Sequence, residues 1–129
     1  AEFSPDYTAG ETGMDRFISF KKNDAFVGRN AAELERASGS ARTLVVFEVD
    51  TDDADVIAYE PVWIDDKVQG FCTSGGYSHY AQKSIAMALI PTDMAKEGLN
   101  VEIEILGDMR RATLINTPLF DPDGTRMRG

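Results

Sequence analysis

From residue 41 onward the chain sets apolar and polar positions in short alternating runs, and a period of two predicts β-strands. Arg42–Val49 (RTLVVFEV) is β-branched and aromatic, with Leu44 and Val46 on one face and Val45 and Phe47 on the other. Val56–Ile64 reads as a second strand in which Pro61 marks an edge or a bulge, because proline cannot donate to a ladder. Asp65-Asp66-Lys67 is a tight hairpin turn, and Val68–Thr73 a third strand. Ser74-Gly75-Gly76 reads as a glycine corner, followed by an exposed loop with Tyr77, Tyr80 and the only histidine, His79. Ser84–Ile90, stopped by Pro91, is the fourth strand. Val101–Leu106 alternates as a half-buried strand, Gly107-Asp108 turns it, and Arg110–Asn116 is the last.

The N-terminal part follows other patterns. Residues 4–13 (SPDYTAGETG) form a connecting loop, and residues 14–22 (MDRFISFKK) predict a strand ended by Asn23-Asp24. Arg29–Ala37 predicts a helix with one covered side, a Glu33–Arg36 pair, and Gly39 as its stop. Residues 91–98 form one helical turn closed by Gly98, and the tail from Leu119 is irregular, with Arg126 and Arg128 near its end. About six strands at short spacing with little helix specify a mainly β (α+β) fold, a small antiparallel barrel or sandwich. The expected division is a connecting segment with a short helix over residues 1–39 and a barrel domain over residues 40–129.

Composition narrows the classes. At 43% hydrophobic the 129 residues can bury a core, and the formal charge of −9 with dispersed Lys and Arg argues against a nucleic-acid partner. No apolar run approaches the roughly 20 residues of a membrane span. A single cysteine, Cys72, excludes an internal disulfide and, lying in an apolar run, reads as a buried inert thiol. The chain opens without Met in polar, turn-like sequence and shows no secretory signal pattern. It reads as the C-terminal piece of something longer, with Ala1-Glu2-Phe3 either native or a cloning remnant.

Candidate chemistry is sparse. Tyr77 beside Gly75-Gly76 puts an aromatic ring next to open backbone, which suits a flat ligand; the alternative is a sheet corner whose tyrosine covers the core. The acidic run Asp50, Asp52, Asp53, Asp55 lacks the spacing, glycine and terminal Glu of a calcium loop and reads as a solvated hairpin loop. Cys72 and His79 have no third orienting group, and together they are too few for a zinc site. Glu60, beside Pro61 and Trp63, is expected exposed or paired at a strand end. No phosphate loop or dinucleotide fingerprint is present. No catalytic residue and no metal ligand emerges.

An ordered set of short segments carries a resemblance. Met14-Asp15-Arg16-Phe17, Asp24-Ala25-Phe26-Val27-Gly28-Arg29, Glu60-Pro61-Val62-Trp63, Thr73-Ser74-Gly75-Gly76-Tyr77, Lys83-Ser84-Ile85-Ala86-Met87-Ala88 and Phe120-Asp121-Pro122-Asp123-Gly124 resemble the C-terminal part of the glycine-cleavage T-protein (aminomethyltransferase) family. The nearest branch is the folate-binding module that ends dimethylglycine and sarcosine dehydrogenases. The resemblance implies an aminomethyltransferase-type C-terminal β-barrel over residues 40–129, with residues 1–39 closing the preceding folate-binding lobe. It implies tetrahydrofolate as ligand, with Tyr77, Arg16, Phe17, Ile18 and Tyr7 on its rim, and FAD only in the parent's flavin domain. The parent would demethylate N-methyl amines and pass the one-carbon unit to tetrahydrofolate, in the cytoplasm or, in a eukaryote, the mitochondrial matrix. The family's catalytic carboxylate belongs to an N-terminal lobe outside this sequence, so the isolated chain is expected to be inactive. Its partners would be folate and the parent's N-terminal lobes and flavin domain. Two alternatives stand beside this: a structural or interaction barrel without folate, and a folate-dependent demethylase acting on another methyl donor. A folate-binding lobe is expected to turn Tyr77 and residues 16–18 toward one concave face.

Overall fold

A computed structural model of the chain describes residues 2–129; Ala1, part of the Ala1-Glu2-Phe3 question, lies outside them. Six antiparallel strands close into a barrel: β1 (Arg42–Val49), β2 (Pro61–Ile64), β3 (Lys67–Ser78), β4 (Lys83–Pro91), β5 (Asn100–Ile105) and β6 (Asp108–Ile115). Around the barrel the order is β1-β4-β3-β2-β5-β6, and β6 pairs back onto β1. Closure removes sheet edges, which a short open sheet would leave exposed.

Alternation decides which residues fill the interior. Phe47 and Val49 from β1, Val62 and Ile64 from β2, and Val101, Ile103 and Ile105 from β5 point inward and are buried. Ala86 and Ala88 of β4 and Ala112 of β6 are small enough to let the opposite strands' larger side chains meet. On β1 the inward set is therefore the Val45, Phe47 face. The hairpin at Asp65-Asp66 uses positive φ at both residues (51° and 58°), matching the right-handed strand twist, and Leu106-Gly107 repeats it at 52° and 93°.

Three sequence expectations are corrected. The stretch over residues 14–22 is no strand: it is a single 3-10 turn, Asp15–Phe17, amid other turns. Its donors are taken locally, since the amides of Met14 and Asp15 both donate to the Ala9 carbonyl at 2.8 and 3.1 Å. The second strand spans only Pro61–Ile64. Ahead of it Tyr59 has φ 72°, and Val56, 1% exposed, is buried from a loop. The glycine corner is absent as well. β3 runs straight through Gly75 and Gly76, neither with positive φ, and pairs with β4 from Phe71↔Leu89 to Ser78↔Lys83. A register shift between Cys72 and Ser74 absorbs the irregularity as a bulge at Thr73. Gly75 is needed for close approach: a Cβ there would lie 2.6 Å from the Val56 Cβ and 2.7 Å from its carbonyl oxygen.

The N-terminal segment clamps onto the outside of the barrel. Helix α1 (Arg29–Ser38) ends where Gly39, φ 82°, donates to the Glu35 carbonyl. Its ion pair is Arg29–Glu33 at 2.8 Å, while Arg36 lies over the Phe20 ring at 4.7 Å; the Glu33–Arg36 pairing does not form. Arg29 also donates to the Lys22 and Phe20 carbonyls, tying the helix start to the preceding turns. No residue of α1 is buried, and Leu34 is 70% exposed, so the covered side expected of it is not closed within the chain. The segment is held by Glu11, whose carbonyl accepts the Leu44 amide at 2.7 Å and whose carboxylate pairs with Arg42 at 2.9 Å. A four-residue helix, α2 (Thr125–Arg128), ends the chain. No helix among the described residues is long and apolar enough to cross a membrane.

Candidate functional site

The Ser84 end of the barrel concentrates the chemistry. Ser84 on β4 is flanked in register by Val49 of β1 and Tyr77 of β3. It is the last inward-facing residue of β4 at this end, after Ile90, Ala88 and Ala86. The Asp50–Asp55 loop folds over this mouth. Asp50 donates its amide to the Arg111 carbonyl at 2.8 Å, and Thr51 Oγ1 donates to Asp53 and to the Ala54 carbonyl. Arg110 bonds Asp53 at 3.0 Å and, chiefly through that bond, holds the Asp53 carboxyl below the usual range.

Tyr77 is 44% exposed and meets the His79 ring edge-on at 5.1 Å. It divides two depressions. One, of about 260 Å³, is lined by the acidic loop and Ser84. The other, of about 420 Å³, is lined by Ser74, Gly75, Gly76, Ser78, Ile85 and Met87. A Cβ on Gly76 would meet nothing within 4 Å, so this second depression offers a bare stretch of backbone beside an aromatic ring. Tyr77 therefore does not plug the core.

The other expected ligand contacts lie elsewhere. Tyr7 packs on Phe71 at 6.2 Å, beneath the Arg42 guanidinium at 5.4 Å. Phe71 lies near the middle of β3 and Tyr77 near its end, roughly 20 Å apart at strand rise. Arg16 stacks over Phe17 at 4.9 Å, and Phe17 is 72% exposed. Ile18 lines a separate cavity of about 200 Å³ with Phe20, Ala32, Glu35 and Arg36. The depressions that Tyr77 lines include none of Tyr7, Arg16, Phe17 or Ile18. The shared concave face is thus not formed within this chain.

Two further groupings escaped sequence reasoning. Tyr80 meets Phe120 at 4.5 Å, edge to face, and Arg126 lies over both rings, so the tail returns to the β3–β4 loop. The other is Glu60, directly before β2, where the paired alternative holds and the exposed one does not: it is 8% exposed. Its carboxylate accepts the amides of Ile57 at 2.9 Å and Leu106 at 3.3 Å, knitting two loops together. That is a structural task. Burial, with a smaller contribution from Glu60, pushes the Cys72 thiol up to about 12, as expected of an inert core cysteine. Cys72 is inside the barrel and His79 outside it, so they form no pair. Among the described residues no group of three or more His, Cys, Asp or Glu side chains is placed to hold a metal.

Comparison with known proteins agrees with this architecture. Residues 42–121 match the glycine cleavage T-protein C-terminal barrel domain. The chain is 40% identical over 128 residues to dimethylglycine dehydrogenase, mitochondrial, of Rattus norvegicus, covering 99% of this chain and 15% of that one. It is 31% identical over 123 residues to an aminomethyltransferase of Desulfitobacterium hafniense (strain DSM 10664 / DCB-2), covering 95% of this chain and 33% of that one. The crystal structure of glycine cleavage system aminomethyltransferase T from Bartonella henselae superposes with a TM-score of 0.82 over 92% of this chain and 33% of that one; at 21% identity the likeness concerns the fold. The chain therefore spans 15–33% of the length of these relatives. With a closed six-stranded barrel and a family match over most of it, the chain belongs to the glycine cleavage T-protein C-terminal barrel domain family.

Proposed function

We propose that this chain is the C-terminal lobe of a tetrahydrofolate-binding aminomethyltransferase module, in a parent of the flavin-dependent dimethylglycine/sarcosine dehydrogenase type. The observation that carries the reading is Tyr77, half-exposed at the edge of the 420 Å³ depression over Gly76. A flat pterin or aminobenzoyl ring stacks on such a phenol, and bare backbone beneath leaves room for it. Lys83, opposite Ser78 and paired with Glu48 at 2.6 Å, is the cation nearest in register for a carboxylate tail.

In this reading the chain binds and orients, and supplies no catalytic group. Residues 1–39 would close the preceding lobe, and residues 40–129 would wall one side of a folate channel. Nothing in the chain is assigned to FAD; that cofactor would belong to the parent's flavin domain, which performs the oxidation. The name of the rat relative, which is mitochondrial, supports a mitochondrial setting for a eukaryotic parent; the matrix there, and the cytoplasm otherwise, belong to this reading.

The separation of Tyr77 from Tyr7 and residues 16–18 favours a second reading, a barrel that only holds its parent together. Calorimetric titration of the full-length parent with folinic acid separates the two. Tyr77→Ala should weaken binding about tenfold, the value of one good stacking contact, and Tyr77→Phe should keep most of it. Unchanged affinity in Tyr77→Ala would leave the barrel a structural lobe.

A further inference from the structure

The acidic depression on the other side of Tyr77 has its own logic. Three aspartates line it, Asp52, Asp53 and Asp55, and only Asp53 is neutralised, by Arg110. Asp52 and Asp55 hold no hydrogen bond or ion pair among the described residues. Of the neighbouring cations, Lys83 is paired with Glu48 at 2.6 Å, and Arg110 is paired with Asp53 and Asp108, leaving Asp52 and Asp55 uncompensated. Under the loop sits Ser84, 2% exposed, whose Oγ has no hydrogen-bond partner. Buried hydroxyls are ordinarily satisfied, so an orphan at the base of an acidic pocket marks a place for a hydrogen-bonding partner. The side wall is the Tyr77 ring, whose π face attracts cations.

A divalent metal does not fit, because no three or more metal-ligating side chains converge among the described residues. Spread carboxylates, an aromatic wall and one unpaired hydroxyl suit a larger, softer cation that still carries N–H groups. We propose that this depression binds a small alkylammonium ion. Its charge faces Asp52 and Asp55, its alkyl part lies along Tyr77, and one N–H donates to Ser84 Oγ. The volume of about 260 Å³ limits it to a short alkyl group. This site is independent of folate binding, which uses the opposite side of Tyr77.

The test is a titration of the chain with propylammonium chloride, read from amide shifts over residues 51–55, 77 and 84. Sodium chloride and tetramethylammonium chloride serve as comparisons. Propylammonium should give saturable shifts there; sodium should not, and tetramethylammonium, lacking N–H, should bind about tenfold more weakly. Asp52→Asn with Asp55→Asn should abolish saturation. Ser84→Ala, which removes an unpaired hydroxyl and leaves the barrel intact, should weaken propylammonium about tenfold and leave tetramethylammonium unchanged. Equal responses to propylammonium and sodium, or no effect of either substitution, would overturn the proposal. Folinic acid affinity in the Asp52→Asn, Asp55→Asn variant should stay at the wild-type value, which keeps this outcome separate from that of the folate reading.

Discussion

Single residues in this chain act through what surrounds them, which is where sequence reading was weakest. Gly75 illustrates it. A glycine lacks a Cβ both where a chain turns and where another chain presses close, and the sequence pattern is the same. Only the Val56 contact, supplied by a loop, decides for the second. Gly75→Ala should therefore cost about 1–3 kcal/mol, the range for overpacking a core. Gly76→Ala, with no atom nearby and no positive φ, should be neutral or stabilising by up to about 1 kcal/mol. Chemical denaturation of the two variants checks the contrast; equal effects would mean the close approach is not rigid. Cys72, by comparison, was legible: an apolar run predicted a buried thiol, and it is one. Its folded value of about 12 lies above an ordinary 9.0. The neutral thiol is thus retained in the folded state while the unfolded chain ionises first. This contribution is full below pH 9.0 and is lost as pH rises toward about 12. Denaturation between pH 9 and 12 should show a falling stability whose slope is shallower in Cys72→Ala, by up to about 1.4 kcal/mol per pH unit.

At the level of elements, strands bounded by clear turn signals were read closely and irregular stretches were not. β1, β4, β5 and β6 fall within a residue or two of expectation, because one face of each is buried and the period shows it. Residues 14–22 have strand-like composition, yet β1 is already paired on one side by β4, and on the other by β6 over Val46–Val49 and by Glu11 at Leu44. The loop before β2 looked like strand because Val56 is core; it is core from a loop. The Glu11–Arg42 tie was invisible in sequence, since 31 residues separate its partners. Glu11's side chain is 7% exposed and Arg42's 40%, which places the pair between surface and buried cases. Arg42→Ala should cost about 1–2 kcal/mol. Hydrogen exchange should then quicken at the Leu44 amide, which bonds Glu11, while Ile103 and Phe47 keep their protection. Uniform loss across the barrel would show that the clamp is part of the core.

For the molecule as a whole, architecture was legible and the site only partly so. Strand count and antiparallel pairing follow from alternation and turn spacing, which leave barrel and sandwich open; closure is what the resemblance implies, and the six strands do close. The ligand contacts expected from resemblance do not share one face within this chain, which spans 15–33% of the length of its relatives. What this lobe offers alone is the Tyr77 end of β3, with the bare Gly76 backbone beside it. The most direct measurement is the affinity of the full-length parent for folinic acid with Gly76→Ala in place. That methyl group leaves the fold intact and projects where a stacked ring would lie. A drop of about tenfold, with unchanged or higher melting temperature, is the predicted result. Wild-type affinity in a well-folded Gly76→Ala parent would contradict the assignment of this face to folate.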